Sequence, residues 1–194
     1  MAFKTQKKII IRFDSGNENG IGHAKRCLKI ANKLRKRNHV ILCCNKETLK
    51  VSQLKGFKII LKKQKETEEN FLKRITKNLS NAKIVIDKLY KYKSQLIKKI
   101  TQNNNRLVLI QNYNSAINKE TTVIQPSEHS PINLISKIKK KTKKLFYGKN
   151  YIILDKKFRK KPSKGKYLAI NFGGSDPKKI TLKIVKLLNK INFN

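Results

Sequence analysis

Short apolar runs alternate along this chain with longer stretches in which apolar residues recur every three or four positions. The runs have few polar interruptions, and such continuous runs predict strands that are buried on both faces. The recurring spacing predicts helices with one apolar side. The predicted strands are "KKIIIRF", "HVILCC", "FKIILKK", "NAKIVID", "RLVLIQNY" and "TVIQP", and the predicted helices cover residues 22–36, 66–79, 93–102 and 133–145.

The order of these elements indicates an α/β fold. Strands and helices alternate along most of the chain, and strands buried on both faces are typical of a Rossmann-like parallel sheet with helices on both faces. In such sheets ligands bind beyond the carboxyl ends of the strands. The loop after the first strand and Asp87, at the end of "IVID", both fall at this edge. We therefore expect the functional site there.

The last part of the chain predicts a second unit. Residues 1–155 would form the first domain, and the basic segment 156–166, "KKFRKKPSKGK", is typical of a linker. Residues 167–194 contain a predicted strand "YLAINF", a "GGSDP" turn and a helix over 177–191. One strand and one helix cannot bury a core of their own. We expect them to be the truncated start of a second α/β domain, whose apolar helix face would favour self-association or a partner that supplies the missing C-terminal domain.

The charge of the chain allows two interpretations. The chain has 48 Lys and Arg residues and 11 Asp and Glu residues, which give a formal net charge of +37. Such a charge is typical of a protein that binds a polyanion, for example nucleic acid or anionic lipid. We favour a drift in composition, because the excess is lysine and is spread along the whole chain. We expect no specific nucleic-acid partner, although the charge would attract an anionic substrate.

Cysteine usage and hydropathy indicate a cytoplasmic protein without a membrane span. Cys27, Cys43 and Cys44 are odd in number and form no C-x-x-C pair, which argues against a disulfide framework and fits a reducing compartment. No apolar run approaches the ~20 residues needed to cross a bilayer, and the N-terminus lacks a signal-peptide pattern. The three histidines are far apart, so no zinc or other metal site is predicted.

The first strand is followed by "RFDSGNENGIGHAKRC", a loop that opens a helix. Free backbone N–H groups at such a junction favour an anionic ligand. Gly20 and Gly22 lack the third glycine of a dinucleotide fingerprint. His23 lies at the positive end of the helix dipole, which disfavours the protonated imidazole, so it is either a candidate general base or a surface or capping histidine. Asp14 and Asp87 could contact a sugar hydroxyl, orient a histidine or serve as turn residues.

A second glycine loop, "FGGSDP", also joins a predicted strand to a helix. Gly173 and Gly174 permit close approach of the backbone to a ligand. Ser175 or Asp176 can cap the helix, and Pro177 suits its first position. The loop is therefore either a diphosphate cradle or an ordinary strand-to-helix turn.

Taken together, these segments resemble the UDP-2,4-diacetamido-2,4,6-trideoxy-β-L-altropyranose hydrolases of pseudaminic acid biosynthesis. That family is related to spore-coat polysaccharide proteins and shares the two-domain GT-B fold of MurG-like glycosyltransferases. "RFDSGNENGIGHAKRC" is similar to the family's R-x-D-x-S-x-x-I-G-x-G-H-x-x-R-C pattern, and "IVIDKLY" to its V-I-D strand. "YGKNYIILDKKF" partly matches its G-x-x-Y-x-L-L-R-x-x-F segment, and "GGSDPKKIT" matches its G-G-S-D-P-x-x-x-T loop. The matches follow the family's order and cover most of the chain.

This resemblance implies hydrolysis of a UDP-sugar without a metal or another cofactor. Water would attack the anomeric carbon with inversion, and UDP would leave. His23 would be the base for that water. Gly173, Gly174 and Ser175 would stabilise the departing diphosphate through backbone N–H groups. The other candidate substrate-binding residues are Arg12, Asp14, Gly20, Gly22, Arg26, Asp87 and Asp176.

Three alternatives stay open from sequence alone. A GT-B glycosyltransferase would use the same site with an acceptor hydroxyl in place of water. A basic polyanion-binding protein would use its lysines for non-specific phosphate contacts, with an affinity that falls steeply with salt. A truncated remnant would be inactive by itself, because the second domain of this fold holds most of the UDP and the chain carries only its first strand, loop and helix.

Overall fold

The computed structural model describes residues 6–16, 20–51, 54–112, 116–127, 129–154, 168–170, 172, 176 and 178–191. Its strands are β1 (Lys8–Phe13), β2 (His39–Cys44), β3 (Lys58–Leu61), β4 (Lys83–Asp87), β5 (Arg106–Ile110), β6 (Thr122–Gln125) and β7 (Leu145–Tyr147). Its α-helices are α1 (Gly22–Leu34), α2 (Glu68–Thr76), α3 (Ser94–Thr101), α4 (Ile132–Lys141) and α5 (Ile180–Lys190). Two short 3-10 helices cover Lys46–Lys50 and Lys149–Tyr151.

The seven strands form one parallel sheet in the order β3-β2-β1-β4-β5-β6-β7. This is a Rossmann-like α/β fold, so the fold class predicted from the sequence is confirmed. The chain builds the sheet outward from β1 in one direction and from β4 in the other, and the reversal falls between these two strands. Phe13 of β1 lies opposite Asp87 of β4. The two central strands therefore end side by side.

Side chains of the central strands alternate between two packed layers, because successive residues of a strand point to opposite faces. On one face, Ile9, Ile11 and Phe13 of β1 pack with the apolar side of α1. On the other face, Ile10 and its neighbours from the adjacent strands pack against α2, α3 and α4. The same alternation turns Arg12 towards α2, which carries the partners of its guanidinium.

Two features between residues 130 and 150 differ from the sequence prediction. The helix predicted over 133–145 ends at Lys141, and β7 was not predicted. Leu145, at the end of the predicted helix, instead begins β7 and pairs with Val123 of β6. A strand of three residues has almost no periodic signal of its own, and this one is fixed by pairing with its neighbour.

The part of the chain beyond residue 154 departs further from the prediction. The linker predicted at 156–166 lies outside the described residues. Residues 168–170, inside the predicted strand "YLAINF", form no strand, since no described strand pairs with their backbone groups. Helix α5 begins at Ile180 instead of 177, and none of its side chains is buried. A second domain therefore stays a prediction.

The α-helices are short, from eight residues in α3 to 13 residues in α1. Within the described ranges, no helix has both the length and the apolar content needed to cross a membrane.

Candidate active site

The carboxyl ends of β1 and β4 bring together several of the residues singled out by the sequence. Asp87 is the last residue of β4, and Asp14 directly follows β1. After a loop the chain enters α1, so His23 and Arg26 lie on the first turns of a helix that starts at the same edge of the sheet. Ile21, at the N-cap position of α1, has no polar side chain, and within the described ranges no other side chain caps the first N–H groups of this helix.

His23 and Asp87 form a hydrogen-bonded pair. Nδ1 of His23 lies 2.7 Å from Oδ1 of Asp87. Asp87 is fully buried, whereas the imidazole is 22% exposed. Because a carboxylate only accepts hydrogen bonds, Nδ1 carries the proton and donates it to Asp87. In the neutral imidazole with this tautomer the lone pair is on Nε2, which has no hydrogen-bond partner among the described residues and would be free to act as a base.

The carboxylate of Asp87 is also held by Arg26 and Cys27. Arg26 donates from Nε to Oδ2 over 2.6 Å and from Nη2 to Oδ1 over 2.8 Å, and the Cys27 thiol lies 3.5 Å from Oδ2. Burial by itself would raise the pKa of Asp87, but hydrogen bonds from His23 and Arg26 and the charge of Arg26 outweigh it and lower the pKa. Asp87 is therefore ionised, with both oxygens in fixed positions.

Arg12 lies beneath this edge and is fully buried. Its guanidinium donates to Glu68 Oε1 over 2.9 Å, to Asp14 Oδ2 over 2.8 Å and to the backbone oxygen of Phe13 over 2.7 Å. It also packs 5.0 Å from the centre of the Phe71 ring. The sequence suggests Arg12 as a substrate contact, whereas the structure uses its donors inside the protein, where it supports Asp14 and Glu68.

Lys88 joins this network from the residue after β4. Its ammonium donates to Oδ2 of Asp14 and lies 4.0 Å from Oε2 of Glu68. The backbone N–H of Asn45 donates to the other oxygen of Asp14 over 2.8 Å. Burial would raise the pKa of Asp14, but the hydrogen bonds and charges of Arg12 and Lys88 lower it to about 2. Asp14 is therefore ionised at neutral pH, with Arg12 and Lys88 as its two cationic partners.

The loop between β1 and α1 is closed by a backbone pair. The N–H of Gly20 donates to the oxygen of Gly16 over 2.8 Å. Gly20 has a φ of 64°, a left-handed conformation that favours glycine. At Gly22 a Cβ would meet no atom within 4 Å. The backbone therefore favours glycine at position 20, while a side chain at position 22 would enter open space.

Of the candidate site residues in the second glycine loop, the structure describes only Asp176. Gly173, Gly174 and Ser175 lie outside the described residues. Asp176 accepts hydrogen bonds from the N–H groups of Ile180 and Thr181, each over 2.9 Å. These contacts bind Asp176 to the first turn of α5, whose N-cap position is Lys179, and no described contact joins Asp176 to His23 or Asp87.

The cysteines do not offer reactive thiolates at neutral pH. All three are free and buried. Burial, together with the nearby Asp87 carboxylate, raises the pKa of Cys27 well above its usual value. Burial likewise raises the pKa of Cys43 to about 12 and of Cys44 to about 11. Across the described part of the chain, no set of three or more His, Cys, Asp or Glu side chains could hold a metal ion.

Two residues of this site, Glu68 and Lys88, escape prediction from sequence. Glu68 is 56 positions from its partner Arg12, and only the packing of α2 against the sheet brings them together. The composition could have pointed to such residues, because acidic residues are scarce in this chain. Three of them, Asp14, Glu68 and Asp87, are nevertheless buried. Because a buried carboxylate needs a cationic partner, scarce acidic residues near strand ends and helix starts are candidates for such networks.

Comparisons with known proteins add one relative. No protein-family model matches the chain. An uncharacterized protein of Methanocaldococcus jannaschii is 31% identical over 206 residues, an alignment that covers 94% of this chain and 40% of the relative. The chain therefore spans about two fifths of the length of the curated relative it matches, and that relative's name states no function.

Proposed function

We propose that this chain is a nucleotide-sugar hydrolase that removes UDP from a UDP-diacetamido-trideoxy sugar, in pseudaminic acid or surface polysaccharide biosynthesis. The substrate class comes from the family resemblance of the sequence motifs. The observation that carries the reaction type is the 2.7 Å contact between His23 Nδ1 and Asp87 Oδ1 at the centre of the sheet's carboxyl edge. This is the edge at which ligands bind in sheets of this topology.

The pair has the geometry of a base and its orienting group. Asp87 accepts the Nδ1 proton of His23, which fixes the ring and leaves Nε2 to accept a proton from water. Water attacks the anomeric carbon as this proton moves to Nε2. The bond between that carbon and the diphosphate oxygen breaks, and UDP leaves with the electron pair. The sugar is released with inverted configuration.

The other residues of the edge have supporting roles in this proposal. Gly20 shapes the loop beside the sugar, and Asp14 and Lys88 form an ion pair at the same edge of the sheet. Arg12 holds Asp14 from beneath. The N–H groups at the start of α1 and of the 173–175 loop would stabilise the leaving diphosphate, since fixed dipoles act most strongly where water is excluded.

A cytoplasmic location belongs to the same proposal. The three cysteines are free thiols, which suits a reducing compartment. The positive net charge of the chain would attract the anionic substrate.

The proposal is tested by incubating the chain with UDP-2,4-diacetamido-2,4,6-trideoxy-β-L-altrose in oxygen-18 water. The mass of the released UDP is then measured by mass spectrometry. We expect UDP without the heavy isotope, because water attacks carbon and the diphosphate leaves with its own oxygen. UDP that contains oxygen-18 would mean attack on phosphorus and would contradict the proposal. Release that requires an added sugar acceptor would favour the glycosyltransferase alternative, and no release would favour a remnant that is inactive alone.

A further inference from the structure

We propose that Arg26 is a positioning residue, which keeps the imidazole of His23 in its neutral Nδ1–H form by neutralising Asp87. This inference rests on the proposed role of His23 as a base, but it assigns Arg26 a task other than contact with substrate. It starts from the number of donors that converge on one buried carboxylate. His23, Arg26 and Cys27 together direct four donor atoms at the two oxygens of Asp87.

The charges explain why a cation is needed there. A buried carboxylate that faced His23 alone would favour the doubly protonated imidazolium, since an ion pair is more stable than an isolated charge in a poorly solvated place. An imidazolium cannot accept a proton from water. Arg26 supplies the compensating positive charge on the same two oxygens, at 2.6 and 2.8 Å. A second cation on the imidazole would then be repelled by Arg26.

The distances agree with this division of roles. Nη2 of Arg26 lies 3.3 Å from Nδ1 of His23, and a guanidinium can only donate. A protonated Nδ1 therefore forms no hydrogen bond with Arg26. It donates instead to Oδ1 of Asp87 over 2.7 Å. His23 and Arg26 are three residues apart on α1, which places their side chains next to each other on one face of the helix. The charged groups that the described residues place against the imidazole are Asp87 of β4 and Arg26 of α1.

Nitrogen-15 NMR of the three histidine rings reads this state directly, without substrate. The His23 signals are assigned by their loss in His23→Gln, and His39 and His129 serve as internal references. At neutral pH we expect wild type to show a protonated Nδ1 and an unprotonated Nε2. In Arg26→Gln we expect both ring nitrogens to shift to imidazolium values, and in Arg26→Lys, which keeps the charge, we expect the neutral form to persist.

Several outcomes would overturn the inference. If His23 in wild type is an imidazolium or carries its proton on Nε2, the inference is wrong, even if Arg26→Gln fails to fold. Unchanged His23 signals in Arg26→Gln would overturn it as well. With a UDP-sugar, a positioning role predicts that Arg26→Gln lowers kcat by roughly tenfold or more at constant KM, whereas a raised KM at constant kcat would identify a substrate contact instead. Because the NMR readout needs no turnover, it can fail or succeed separately from the hydrolase proposal.

Discussion

Each buried carboxylate at the carboxyl edge of the sheet is matched by at least one cation. Asp87 is paired with Arg26, while Asp14 and Glu68 share Arg12 and are approached by Lys88. Removing one partner from a buried pair is costly, because the other charge is left without compensation. The geometry of the candidate site therefore depends on every carboxylate keeping its cationic partner.

The ionisation of Asp14 leads to a prediction about acid stability. Its pKa is lowered from 3.8 to about 2 in the folded protein, so the carboxylate stabilises the fold above about pH 4 and loses that contribution as the pH falls towards 2. The shift corresponds to about 2 kcal/mol in the free energy of unfolding. Urea unfolding at a series of pH values should show a wild-type advantage over Asp14→Asn that is largest above pH 4 and shrinks on acidification.

Glu120 provides the control for this experiment. Its carboxylate is 76% exposed and lies 3.6 Å from the ammonium of Lys144. An exposed pair of this kind contributes little to stability. Glu120→Gln should therefore change the free energy of unfolding only slightly at any pH. A difference between wild type and Asp14→Asn that does not vary with pH would contradict the lowered pKa of Asp14 in the folded protein.

At the scale of elements, the amino end of α2 positions part of the site. Thr67 caps this helix: its side-chain oxygen accepts the N–H of Asn70 over 3.2 Å. The next residue, Glu68, reaches back from the first turn to Arg12. The cap therefore fixes the start of the helix that carries Glu68, a buried carboxylate of the site.

Loss of this cap should destabilise the protein measurably. Replacing an N-cap threonine by alanine typically costs about 1 kcal/mol, so Thr67→Ala should lower the free energy of unfolding by that amount in urea titrations. Thr67→Ser keeps an oxygen acceptor in the same place and should stay close to wild type. Equal losses in both variants would mean that the methyl group, and not the cap, matters at this position.

The central strands were predictable because their signal is local. "KKIIIRF" and "NAKIVID" are continuous apolar runs, and the structure has β1 and β4 at these positions. The loop motif also predicted that His23 would lie at the start of a helix, next to the edge where Asp87 ends its strand. Register and long-range packing were not predictable in this way. The burial of Arg12 depends on which face of β1 meets α2, and its pairing with Glu68 joins residues that no local pattern connects.

At the scale of the whole molecule, exposed apolar side chains concentrate in the C-terminal part of the chain. Of the large exposed apolar side chains that the structure describes, most lie beyond residue 144, including Phe146, Leu154, Leu182, Leu187 and Ile191. Helix α5 has no buried side chain although most of its residues are apolar. Exposed apolar side chains in such number are typical of a surface that associates with another molecule.

We expect this surface to drive self-association that increases with salt. The net charge of +37 keeps copies apart at low ionic strength, and salt screens this repulsion while leaving apolar contacts intact. Light scattering after size exclusion should therefore show a larger mass at high salt than at low salt. The double variant Leu187→Gln, Ile191→Gln should reduce the effect.

Ile132 offers a matched control, because it is 86% exposed but lies at the start of α4. Ile132→Gln should leave the association unchanged. A monomer at every salt concentration would contradict the expected self-association.

The polyanion-binding alternative predicts a different result. It would be favoured by tight binding of random nucleic acid that weakens steeply with salt, without any turnover of UDP-sugar.

The central claim is that Nε2 of His23 takes a proton from the attacking water. It is tested most directly by the rate of UDP release from UDP-2,4-diacetamido-2,4,6-trideoxy-β-L-altrose by wild type, His23→Gln and His39→Gln. His39 is exposed at the start of β2, at the opposite edge of the sheet, and is the matched control. We predict that His23→Gln lowers the rate by ~10²–10⁴-fold, the usual contribution of a general base, while His39→Gln releases UDP at the wild-type rate. Equal rates for wild type and His23→Gln, or no release by wild type, would contradict the account.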